Sequence, residues 1–73
     1  MKIVTIWDEA RRIDPLDEIV RRLNREYTVI RKANPRGYRD SMESRMEAML
    51  VDIVMAMGGK VEFEGDECTC TFL

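Results

Sequence analysis

Apolar positions along this chain recur with two different periods, and the places where the period changes mark its elements. Residues 2–7, from Lys2 to Trp7, are β-branched and aromatic with apolar side chains on both faces, the pattern of an interior strand. After a charged connection over 8–13 the spacing turns helical. Leu16, Ile19, Val20, Leu23 and Tyr27 form one stripe, with Glu18, Arg21, Arg22 and Arg25 on the other side. Asp14 and Pro15 predict the start of that helix, because Asp caps free N–H groups and Pro tolerates the first position; Asp17 and Glu18 suit the positive end of its dipole.

Residues 27–32 are rich in strand formers and alternate, Tyr27 and Val29 opposing Thr28 and Ile30, which predicts a second strand. Asn34, Pro35, Arg36 and Gly37 predict a turn. Asp40, Ser41, Met42 and Glu43 then read as a capping box that opens a long helix running to Met57. Gly58 and Gly59 end it, since glycine accepts the left-handed conformation that closes a helix. The last fifteen residues alternate on both sides of Gly65-Asp66, the signature of a two-residue hairpin loop. Pairing Glu64 with Glu67 sets Val61, Phe63, Cys68, Cys70 and Phe72 on one face, and Glu62, Glu64, Glu67, Thr69 and Thr71 on the other.

The expected fold is therefore α+β in βαβαββ order, a two-layer sandwich with two helices packed on one face of a mixed four-stranded sheet. That order of elements resembles the topology of the TusA-type sulfur carriers, of Alba-type chromatin proteins and of the C-terminal domain of bacterial translation initiation factor three. A fold shared by a sulfur relay and by nucleic-acid binders does not assign function. The sulfur-carrier resemblance would require a Cys-Pro pair at the start of the first helix, where the dipole activates the thiol. Here Asp14-Pro15 stands in that place, so the chain would be a degenerate carrier without its nucleophile.

Length and composition narrow the picture further. The 73 residues are expected to form one small domain, 1–73. A chain this short hides only about 60% of the surface its unfolded form exposes. Its core supplies roughly 3 to 5 kcal/mol, so a homodimer or another protein partner is the expected source of extra stability. Cys68 and Cys70, the only cysteines, stand two apart in an extended run, too close to bridge each other and too few for a secreted framework. A reducing cytoplasm is expected. The first apolar run ends within a few residues, so neither a signal peptide nor a spanning helix is expected there.

No residue set spells out a reaction. The chain has no histidine, which removes the commonest general base and the usual triads, and a soft metal at Cys68 and Cys70 would need ligands beyond these two thiols. Glu43 and Glu47 lie four apart on the second helix, the spacing of a solvated pair. Gly58-Gly59 follows a helix and so offers carbonyls where a phosphate loop needs N–H groups. The expectation is a protein that is not an enzyme and uses no cofactor, metal or small-molecule substrate.

Charge carries the remaining signal. Residues 1–39 sum to about +4 and residues 40–73 to about −6, a polarity that speaks of partners more than of fold. The first reading is a small binding or regulatory module acting through protein contacts, in the size class of virus-encoded inhibitors and adaptors. Val51, Val54 and Met55 would give it an apolar back on the second helix, behind a buried face of Met42, Met46, Met49, Leu50, Ile53 and Met57. Glu62, Glu64 and Glu67 would give it an acidic strip. The alternative is a nucleic-acid-binding domain using Arg21, Arg22, Arg25, Arg36 and Arg39 against phosphates.

Overall fold

The computed structural model describes residues 1–33 and 42–73. Within them lie a strand β1 (Lys2–Trp7), a helix α1 (Pro15–Ala33), a helix α2 (Met42–Ala56) and two further strands, β2 (Lys60–Glu64) and β3 (Glu67–Phe72). The fold is α+β. Its mixed sheet has the order β1-β3-β2, with β1 parallel and β2 antiparallel to the central β3.

The expected four-stranded sheet is corrected to three strands among the described residues, because 27–32 is helix. Tyr27 and Ile30 fall three apart, on the line that Ile19 and Leu23 begin, and both are half-buried while Thr28 and Val29 are exposed. That is a helical pattern of burial, not an alternating one. The Thr28 hydroxyl donates to the Asn24 carbonyl at 2.8 Å, a bond the helix offers and a strand does not. Arg31 and Lys32 close the last turn against the negative end of the dipole. Strand propensity is a weak preference, and here it yields to a helix already capped and running from Pro15. With the order now βααββ, the resemblance to the sulfur-carrier, Alba and initiation-factor topologies lapses.

Asp14 caps α1 as expected. Its Oδ1 accepts from the Leu16 N–H at 2.9 Å and from the Thr5 hydroxyl at 3.3 Å, so the same carboxylate ties the helix start to β1. The connection before it is folded: Asp8 Oδ1 accepts from the Ala10 N–H, the Asp8 carbonyl from the Arg11 N–H, and the Arg11 guanidinium lies over the Phe72 ring at 5.5 Å. The turn expected at 34–37 and most of the capping box at 40–43 lie outside the described residues.

Two glycines end α2 for two different reasons. Gly58 takes φ +82° and its N–H donates to the Met55 carbonyl, while the Gly59 N–H reaches back to Val54, the paired bonds of a Schellman closure. Gly59 is there for space, since a Cβ would sit 2.5 Å from the Phe72 ring and 2.8 Å from Val54. The hairpin has the expected register, Glu64 opposite Glu67, with Gly65 at φ +58° as in a type II′ turn.

Alternation sorts the sheet into two faces. Ile3, Thr5 and Trp7 stand in register with Cys68, Cys70 and Phe72 on the inner face. There the two thiols, Phe72, Ile19, Leu23, Leu50, Ile53 and Val54 form one buried core, flanked by Ile3, Trp7, Met49, Met57 and Val61. Phe63, expected on the same dry face, pairs with Cys68 near the hairpin turn but is 47% exposed, a correction to that expectation. No helix among the described residues is long and apolar enough to cross a membrane.

Candidate protein-interaction surface

The residues expected on the apolar back of α2 separate. Val54 is fully buried, which corrects its assignment to an outward surface: Leu50, Ile53, Val54 and Met57 follow the i, i+3, i+4, i+7 rule and turn inward together. Val51 is half-buried, and Met55 is 65% exposed one turn further on. What remains of that back is a narrow strip of two residues.

The acidic strip is present but partly compensated. Glu62, Glu64 and Glu67 are all exposed on the outer side of the hairpin. Only Glu64 and Glu67 oppose each other, while Glu62 faces Thr69. Lys2 Nζ approaches Glu67 at 3.9 Å, and the N-terminal ammonium lies 3.6 Å from Asp66. At this exposure such pairs contribute little to stability, yet they lower the negative field at this corner.

The arginine face of α1 is balanced in a similar way. Glu18 pairs with Arg21 and accepts from Arg22 Nε at 2.8 Å, so two of the three arginines on this helix face share one carboxylate. Arg25 is exposed. Beside it a cleft of about 300 Å³ runs between the helices, lined by Arg22, Glu26, Met49, Asp52, Ile53 and Ala56, so that two carboxylates face one arginine there. Arg36 and Arg39 lie outside the described residues.

The thiols are sequestered. Cys68 and Cys70 are fully buried with their sulfurs 4.0 Å apart. Burial pushes both above the ordinary thiol range, Cys70 to about 12, where its neighbour Cys68 adds to the rise. A hydrogen bond from Cys70 offsets part of the effect at Cys68. Burial and a raised pKa leave little thiolate at neutral pH, which makes these thiols poor nucleophiles. Among the described residues no three Cys, Asp or Glu side chains gather closely enough to hold a metal ion.

The most informative surface is one that sequence reasoning placed elsewhere. β1 has the composition of an interior strand, and it lies at the sheet edge with β3 as its one neighbour among the described residues. In a parallel ladder alternate residues bond one neighbour. The Lys2 N–H donates to the Asp66 carbonyl at 2.9 Å, and Lys2 is paired with Glu67, so Lys2, Val4 and Ile6 aim their backbone groups at β3. Ile3, Thr5 and Trp7 aim theirs outward. Ile6 is 50% exposed on the outer face. The signal was in the sequence, as apolar residues on both faces of 2–7 with no breaker, but it could not say which strand lacks a neighbour.

Compared with protein-family models, with curated proteins and with solved structures, the chain matches none of them.

Proposed function

We propose that this chain is a small, non-enzymatic protein-binding module that engages its partner along the β1 edge. One observation carries the reading: a six-residue strand with apolar residues on both faces and no proline stands at the edge of the sheet that the described residues form. Free edges of this kind are templates for another strand, and proteins that do not use them cover them or load them with charge. β2, at the opposite edge, carries Lys60, Glu62 and Glu64 in five residues; β1 carries one lysine in six. Protonated, buried thiols and a chain without histidine suit binding better than acid-base or nucleophilic chemistry, and two free thiols suit a reducing compartment. Binding to nucleic acid through Arg21, Arg22, Arg25, Arg36 and Arg39 is the weaker reading, since Glu18 already shares Arg21 and Arg22.

The test is affinity capture by the wild type beside an Ile6→Lys variant whose fold is verified by circular dichroism. A protein, whether this chain or another, recovered by the first and lost by the second is the expected result. Recovery of oligonucleotides alone, with binding that weakens steeply as salt rises, would transfer the assignment to the arginines.

A further inference from the structure

Resting on the reading of β1 as a binding edge, we propose that the strand added there is β1 of a second copy, antiparallel, with Thr5 opposite Thr5 and a continuous six-stranded sheet as the product. The register follows from three observations.

First, the outward-aimed residues are Ile3, Thr5 and Trp7, as the ladder to β3 requires. An antiparallel partner exchanges both N–H···O bonds between directly opposed residues at every second position. Centring the two-fold on Thr5 opposes Ile3 to Trp7 of the second copy, and Trp7 to Ile3. All three outward residues of each copy are then satisfied. A slip of two residues either way leaves one of them without its partner in the strand.

Second, a two-fold axis perpendicular to the sheet keeps each face continuous. Ile3, Thr5 and Trp7, which lie half-buried on the inner face, meet each other. On the outer face Val4 opposes Ile6 of the second copy in the closely spaced, non-hydrogen-bonded positions, where side chains touch most. Half of the Ile6 surface is in water in the single chain, and this contact covers it.

Third, the ends are complementary in charge. Lys2 begins the strand and Asp8 follows it, so this register sets Lys2 opposite Asp8 of the second copy, and does so twice. Lys2 is 74% exposed at its side chain and only loosely held by Glu67, free to swing. The Asp8 carboxylate accepts from the Ala10 N–H through Oδ1, and Oδ2 remains for the ammonium. A parallel pairing of the same strands would set Lys2 beside Lys2. The connection after Trp7 turns back toward the inner face, where Arg11 lies over the Phe72 ring.

Charge exchange tests both the occupant and the register. Lys2→Asp places two acids at each end of the joined strands and Asp8→Lys two lysines, so each variant alone pairs about tenfold more weakly than the wild type. Mixed in equal amounts, the two restore opposite charges at both ends, and sedimentation velocity is expected to show the heterodimer regaining the wild-type affinity. Thr5→Pro removes an outward N–H that the single chain does not use in its sheet and also the hydroxyl bond to Asp14, so it is read beside Thr5→Val, which loses only the hydroxyl; the first is expected to be a folded monomer by circular dichroism and sedimentation, the second a dimer. A dimer that persists in Thr5→Pro, or charge variants that do not rescue each other, overturns the register. A wild type that stays monomeric at every concentration while still capturing a different protein in an Ile6-dependent way overturns the second copy and leaves the binding edge standing; failure of both removes the edge itself.

Discussion

The two faces of β3 differ by a single position in the chain and by almost everything in their surroundings. On the inner face Cys68, Cys70 and Phe72 are buried to 0%, 0% and 1% exposure. On the outer face Thr69 and Thr71 are half-buried beside the exposed Glu67. Cysteine and threonine are close in size, so volume does not explain which goes where. A thiol gives up little when it leaves water, and a hydroxyl gives up a hydrogen bond. The strand thus reports the side on which the protein is dry, and how much a change costs should depend first on which face it touches.

The largest effect is expected from Phe72→Ala. Its ring fills the space between Gly59, Val54 and Arg11, and truncation costs about 3 to 5 kcal/mol, as much as a core of this size supplies. Far-UV circular dichroism at 25 °C should show a largely unfolded chain; a cooperative native melt would mean that the inner face is less tightly packed than its burial states.

Gly59→Ala presses on the same ring from the helix side. Neither the Phe72 ring nor the Val54 methyl is the loose end of a flexible chain, so overpacking of about 1 to 3 kcal/mol is expected in urea titrations. Gly58→Ala meets open space and pays only for its φ of +82°, about 1 kcal/mol. A larger loss at Gly58 than at Gly59 would contradict the close approach.

The thiol and hydroxyl positions can be exchanged in chemistry with hardly any change in shape. Cys70→Ser buries a hydroxyl in the core at a cost of about 1 to 3 kcal/mol, whereas Thr71→Val on the other face stays within about 0.5 kcal/mol. Equal effects at the two sites would dissolve the distinction between the faces.

The smallest effect under ordinary conditions appears only as pH rises. An unfolded cysteine begins to release its proton near 9, while Cys70 in the fold holds its own to about 12. Between those values the unfolded state binds fewer protons, so stability is fully present below the unfolded value and falls across the window. Chemical denaturation at successive pH values should show this decline flattened in Cys70→Ala relative to wild type. At neutral pH both thiols should resist alkylation until the chain unfolds.

Where local chemistry is strong, the sequence alone is enough. Asp14 at the head of α1, the Gly58-Gly59 closure and the hairpin register are each set by a few adjacent residues with special conformational needs, and each stands where expected. Residues 27–32 depart from expectation because Tyr27, Thr28, Val29 and Ile30 satisfy both periods, and continuation of a helix already nucleated decides between them. The site was less legible than the fold. Val54 was misplaced because apolar residues surround α2 on most of its circumference, so the wheel could be turned by one residue without penalty until Phe72 and Gly59 took their positions.

By itself, then, the order of residues determined the period of each element except the last part of α1, the two helix ends, the register of the hairpin and the buried side of β3, though not the place of Phe63. Tertiary structure alone decided that β1 stands at an edge among the described residues and that Val54 points inward. The reason is one of range. Caps, turns and alternation act between residues a few positions apart, while an edge is defined by the neighbour a strand lacks, and that depends on where every other strand has gone.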